Sequence, residues 1–270
     1  DVFVNARHAA DAVGATKMDR PEWGAVNPVN GDVYFTMTNN SSRAIDRTDA
    51  ANPRSYVGSN GSTGSGNPNG HIVRLREDGK RAGATSFNWD IFLFGAPANA
   101  PENFSGLTES NDFSSPDGLW FSKSTGICWI QTDDSAFTGS TNCMLLAAVP
   151  GEVGDGGAMM VTNNRNGTTT QQQTFIGAAL GEAKLRRFLV GPKGCEVTGI
   201  TETPDGRTIF VNIQHPGERT PAIGANPDFA FQSTWPAGST SAGNYGPAGS
   251  LRPRSATIVI RRTDGGVIGA

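Results

Sequence analysis

The chain has 270 residues, 35 Gly, 16 Pro and only 17% charged residues, the composition of a strand-and-loop protein long enough to bury a large core. A formal net charge of -3 and a pI near 5.6 give no basic footprint for nucleic acid or anionic lipid. No run of about 18 apolar residues predicts a membrane span, and the first residues lack the form of a signal peptide, so the chain as given is expected to be soluble.

In chain order, residues 1–5 read as the last strand of a preceding repeat and residues 6–13 as a short helix. A module then opens at Arg20-Pro21-Glu22-Trp23 and closes at Thr38-Asn39-Asn40. Residues 71–76 and 86–94 follow as an outer strand pair about an Asp78-Gly79 turn. A second module runs from Pro116-Asp117-Gly118-Leu119-Trp120 to Gln131-Thr132-Asp133. Its outer pair is read as 143–149 with 187–190, with 158–162 competing for one place, and residues 178–187 look helical. The third module runs from Cys195-Glu196-Val197-Thr198 to Asn212-Ile213-Gln214-His215, and strands 256–262 and 266–268 flank Asp264-Gly265 after it. Counted from each opening acid, a turn residue falls nine positions on, at Gly31, Gly126 and Asp205, and a polar residue closes the unit at Asn39, Asp133 and Asn212. Apolar runs between these points make each module an up-and-down hairpin.

Repeats of four strands with acids at matching places predict an all-β fold, a β-propeller in which this single domain, 1–270, supplies three blades over about 20–95, 115–190 and 195–270. Three blades do not close a ring, for which at least about four are needed. The chain is therefore expected to be about half of a longer ring, with its own N-terminal half or another copy covering the open edges. The insertions at 41–69, 154–174 and 218–254 are rich in Gly, Ser, Asn, Thr and Pro and are expected to be surface loops. The Gly-rich stretch 58–70 lacks the Lys-Ser/Thr of a phosphate cradle and reads as a flexible loop.

Glu22, Asp117 and Glu196 stand at equivalent strand starts and should meet at one mouth of the ring. Either each caps a turn or pairs with a surface base, or the three share a cation, for which calcium is the simplest choice. Arg20, two residues before Glu22, is either its ion-pair partner or a bidentate grip for phosphate oxygens. Asn39, Asn40, Asp133, Asn212, Gln214 and His215 return to the same mouth, and His215 is structural, a ligand or a proton donor. His8 and His71 are weaker candidates. Cys128 and Cys143 read as small buried hydrophobes, one disulfide is open if the protein is exported, and Cys195 abuts an acid at a hairpin mouth.

Lys17-Met18-Asp19-Arg20-Pro21-Glu22-Trp23, Gly31-Asp32-Val33-Tyr34, Ser115-Pro116-Asp117-Gly118-Leu119, Gly194-Cys195-Glu196-Val197-Thr198-Gly199 and Phe210-Val211-Asn212-Ile213-Gln214-His215-Pro216-Gly217 together resemble the PhoX family of bacterial alkaline phosphatases. The resemblance implies a six-bladed propeller, iron and calcium at its mouth, export to the periplasm or beyond, and hydrolysis of small phosphate esters. It makes Arg20 a phosphate ligand, Glu22, Asp117 and Glu196 metal ligands, and Asn39, Asn212 and His215 the edge of the site. The chain looks like the C-terminal half of such an enzyme. The family's iron-binding cysteine lies in a Thr-Cys-Glu-Glu-Asn-Phe-like segment with no counterpart here, since Glu102-Asn103-Phe104 lacks the cysteine. Two alternatives stand beside this one: a non-catalytic calcium-binding propeller module, or fragment inactive without its other half, and a calcium-dependent lactonase or esterase.

Overall fold

The computed structural model describes residues 1–221, 231–236 and 252–270. The elements in chain order are helix α1 (Ala6–Ala12), then strands β1 (Pro21–Val26), β2 (Val33–Met37), β3 (Tyr56–Val57), β4 (Ser65–Gly66), β5 (His71–Glu77), β6 (Phe87–Phe94), β7 (Pro116–Phe121), β8 (Cys128–Thr132), β9 (Met144–Ala148), β10 (Gly157–Arg165) and β11 (Thr168–Ile176). A short helix α2 (Gly181–Lys184) and strands β12 (Leu185–Val190), β13 (Glu196–Glu202), β14 (Thr208–Gln214) and β15 (Ala256–Arg261) complete the described chain, which is thus mostly strand.

The three modules are three antiparallel hairpins, β1–β2, β7–β8 and β13–β14. Gly31, Gly126 and Gly206 take the left-handed backbone at their turns, so in the third hairpin the residue after Asp205 carries the bend. Each hairpin grows outward into its own sheet, ordered β1-β2-β5-β6-β11-β10, β12-β9-β8-β7 and β13-β14-β15. The opening strands β1, β7 and β13 are therefore all edges, and β7 packs against both of the others.

The sheets stack with the second in the middle. Cys128 and Ile130 of β8 and Met144, Leu146 and Ala148 of β9 face Tyr34, Ile72 and Phe92 of the first sheet. The alternate residues, Trp129 and Leu145, face Val197, Val211 and Ile213 of the third. Burial on both faces is why β8 and β9 read as unbroken apolar runs rather than alternating ones.

Several expectations need correction. Residues 1–5 form turns and not a strand, and residues 266–268 likewise form no strand. Instead Ile268 plugs the second core, with its N–H donated to the Gly206 carbonyl at 2.9 Å. The insertion at 154–174 is not a loop but most of the long hairpin β10–β11, turning at Asn166-Gly167, both left-handed. This hairpin leaves the second sheet and joins the first, through a parallel bridge between Ile176 and Ile91. Beneath it lies the segment 41–69, whose stretches 52–56 and 66–69 are buried and held by polar contacts. Asn163 accepts from the Ser55 N–H at 2.6 Å and donates to the Pro53 carbonyl at 2.9 Å, while Thr174 donates to the Ala50 carbonyl at 2.6 Å. The buried guanidinium of Arg54 ties this segment to Asn67, Gly70, Gly95 and Glu102. Gly70, with φ 66°, is needed there, because a Cβ would fall 2.0 Å from the Thr38 carbonyl oxygen. The third expected insertion, 218–254, lies largely outside the described residues.

Candidate functional site

All three opening strands start from the same local device. The residue two before each acid is left-handed, at Arg20 (φ 49°), Ser115 (φ 52°) and Gly194 (φ 70°). For Arg20 and Ser115, which precede proline, this conformation is doubly disfavoured and must be imposed by the surroundings. The carbonyl of Arg20 accepts from the Thr38 N–H and that of Ser115 from the Asp133 N–H, both at 3.1 Å. A bulge follows in each strand, between Pro21 and Gly24, between Pro116 and Leu119, and between Thr198 and Ile200. Bulges bend a strand and re-aim its side chains, here beside Glu22, Asp117 and Glu196. His215, at φ 36°, is left-handed too, so half of the six left-handed non-glycine residues among the described residues stand at this one end.

The side chains link one sheet to the next. Arg20 Nη1 donates to Asn39 Oδ1 at 2.8 Å, and its Nη2 lies 3.3 Å from Glu22 Oε1. Asn39 Nδ2 reaches across to Ser115 Oγ at 3.4 Å. Thr38 Oγ1 donates to Asp117 Oδ1 at 3.2 Å, and Thr36 Oγ1 to the Asp117 carbonyl at 2.7 Å. On the far side, His215 Nε2 lies 3.4 Å from Glu196 Oε2 and its Nδ1 3.5 Å from Glu218 Oε2.

Negative charge accumulates between these links. Burial, followed by the charges of Glu22 and Asp133, raises the Asp117 carboxyl above its ordinary range, with the Thr38 hydroxyl opposing. Glu196 is pushed up to about 7, first by burial and then by Asp133 and Asp117, with His215 opposing. A hydrogen bond with Glu196 also opposes the rise at Asp117, and a cation beside these carboxyls would favour their charged forms further. Their hard oxygens suit calcium. Among the described residues, however, no three His, Cys, Asp or Glu side chains come close enough together to hold one metal ion.

Thiolate ligation finds no support in the chain. Cys128, Cys143 and Cys195 are free and buried, which excludes the disulfide in this structure. Cys195 packs in the second core beside Cys143 and Val197, and burial pushes its thiol up to about 12, the opposite of a ligand's requirement.

Arg20, Glu22, Asn39, Asp117, Glu196 and His215 thus gather at one end of the sheets. Asn212 does not join them. It pairs with Thr198 and Thr257 within the third sheet and accepts from Thr257 Oγ1 at 2.7 Å, while Gln214 is the residue opposite Glu196. Counting positions from the acid misplaced Asn212, because the third acid stands farther from its turn: Glu196 pairs with Gln214, whereas in the first two hairpins the residue before the acid already pairs with Met37 and Thr132. Asn40 turns away from the site to the buried Asp19. His71 is buried between Asn67 and the Ala51 carbonyl, and His8 lies on α1. Sequence reasoning gave no role to Thr38, Ser115 or Glu218. Ser115 could have been found, since it stands before Pro116 as Arg20 stands before Pro21.

The comparisons with known proteins point to one family. The solved structure of Pseudomonas fluorescens PhoX in complex with vanadate, a transition state analogue, is 35% identical with a TM-score of 0.66, and the match covers 100% of this chain and 38% of that one. The chain therefore spans well under half the length of that relative. No curated protein sequence matches it. The family model described as alkaline phosphatase PhoX matches residues 1–217, and on that match the chain belongs to the PhoX family.

Proposed function

We propose that this chain forms the phosphate-binding side of a calcium-dependent phosphate ester hydrolase. The carrying observation is Arg20, held by Asn39 and Glu22 on a left-handed backbone, at the same end of the sheets as Asp117 and Glu196, each raised by burial and by neighbouring carboxylates. Its two Nη atoms suit two oxygens of one phosphoryl group, with Asn39 Nδ2 as a further donor. As charge develops on those oxygens in the transition state, a fixed guanidinium stabilises it without reorganisation. His215, held between Glu196 and Glu218, is placed to carry a proton to or from the reacting group. Glu22, Asp117 and Glu196 would each offer carboxylate oxygens to calcium only as part of a cage that further groups complete, and bound calcium would supply positive charge to the phosphoryl oxygens and lower the pKa of bound water. Iron, also implied by the family, has no fitting thiol in this chain.

Three stacked sheets with adjacent inner edge strands support the propeller reading, and the family supports an exported location. Among the described residues no helix is long and apolar enough to cross a membrane. A second reading, binding without turnover, is favoured by the absence of a complete metal cage among the described residues. Elemental analysis of the purified chain with its intact mass, alongside turnover of a chromogenic phosphate ester with and without calcium, separates the two. Stoichiometric calcium with calcium-dependent turnover supports hydrolysis. Calcium without turnover supports the binding module, and neither refutes both.

A further inference from the structure

Asp19 touches none of the candidate site residues, yet it is the most heavily tied group near them. Its carboxylate is fully buried. Oδ1 accepts from Arg43 Nε at 2.8 Å and from Asn40 Nδ2 at 2.7 Å, and Oδ2 accepts from Asn67 Nδ2 at 3.0 Å. Its backbone N–H donates to Asn52 Oδ1 at 2.9 Å. Arg43 is fastened in turn, donating to the Arg47 carbonyl at 2.7 Å and the Lys17 carbonyl at 2.8 Å. Burying a carboxylate is costly unless it is paired and fully hydrogen-bonded. The chain has placed this expensive group next to its one left-handed arginine.

The geometry explains the placement. Asp19–Asn40 and Arg20–Asn39 are adjacent rungs between the same two stretches of chain, the first turned to the interior and the second outward. The inner rung fixes the residue before Arg20 and the residue after Asn39. Together with the Thr38 N–H on the Arg20 carbonyl, it over-determines a backbone conformation that arginine before proline would not choose. We infer that Asp19 is the positioning residue of the phosphate clamp, acting through Arg20 and Asn39 from the buried side. This rests on the reading of Arg20 as that clamp.

The test is a double-substitution cycle on the calcium-loaded chain, with inorganic phosphate as the probe and calorimetry as the readout. Asp19→Asn is expected to weaken phosphate binding roughly tenfold, on the scale of one charge-assisted hydrogen bond, when Arg20 is present, and to have no further effect in an Arg20→Ala background. Hydrogen exchange supplies a readout independent of phosphate. In Asp19→Asn the Thr38 amide should exchange at least about tenfold faster while the Phe35 amide, within β2, keeps its wild-type rate. Asn40→Ala, which keeps Asp19 and removes the inner rung together with the acceptor of the Ser42 N–H, should move both readouts in the same direction and serves if Asp19→Asn does not fold. Equal losses of binding in both backgrounds, or unchanged Thr38 exchange, would overturn the inference. If the wild-type chain binds no phosphate, the reading of Arg20 fails, and the exchange rates alone then decide whether Asp19 positions it.

Discussion

Arg74 of β5 and Asp90 of β6 form a paired charge inside the first sheet, 1% and 0% exposed at their side chains. Nε and Nη2 of Arg74 reach the two oxygens of Asp90 at 2.7 and 2.9 Å, and Nη2 also reaches Asp155 Oδ1 at 2.8 Å. Arg74→Met would leave Asp90 buried with only the Gly154 N–H, at 2.6 Å, among these donors. Removing one partner of a buried pair costs about 3–5 kcal/mol, because the other charge is left uncompensated. For a chain of this size that corresponds to a fall in Tm on the order of 10 °C. Arg74→Met/Asp90→Leu removes both charges and should recover most of the loss. Urea unfolding followed by tryptophan fluorescence, with calorimetry on the same samples, measures both. A loss below about 1 kcal/mol for the single variant, or a double variant no more stable than the single one, would refute the claim that an unpaired Asp90 is the source of the cost.

Arg20→Ala should lower turnover on a chromogenic phosphate ester by at least about 100-fold, and near-normal turnover would remove Arg20 from the site. His71 is held neutral, its pKa pushed down to about 4 chiefly by burial, with Asp19 opposing and Arg54 and Arg43 assisting. Between pH 6.5 and about 4 the unfolded chain takes up a proton that the folded chain does not. Acid therefore removes about 1.4 kcal/mol of stability per pH unit in that window, and His71→Gln should flatten the slope of the urea-derived unfolding free energy against pH by that amount. Equal slopes would show that His71 is not the group responsible. A thiol reagent at neutral pH should label none of the three cysteines in the folded chain and all three in denaturant, since burial raises each thiol. Prompt labelling of Cys195 in the folded chain would contradict its place in the second core.

Period-two apolar runs and turn residues at fixed offsets made the three hairpins readable, because a hairpin is a local object. Matching acids marked the end at which Glu22, Asp117 and Glu196 stand. Beyond 158–162 the hairpin β10–β11 escapes a reading by pattern, because Thr, Gln and Asn dominate it and such polarity reads as a loop. Its Asn166-Gly167 turn and run of threonines were the available signal. Arg54 and Asp19 were out of reach for a different reason. A buried ion's partners lie on segments remote in sequence, and no periodicity points to them. The position of Asn212 failed because the third hairpin runs on beyond the other two, pairing Glu196 with Gln214, and a count from the acid cannot see that extra length.

The β10–β11 hairpin lies in sequence between β9 and β12, which pair with each other in the second sheet, yet it is hydrogen-bonded into the first. The first two sheets are therefore stitched together by chain connectivity as well as by their shared core. No cut separates them into independently inherited pieces, and a library of deletions or permutations should find no tolerated junction between them. Among the described residues the chain passes from the second sheet to the third once, near Gly191 to Gly194, where such a library should find its break. If modules of this lineage were ever exchanged between proteins, the third sheet could travel alone, while the first two would have to move as one.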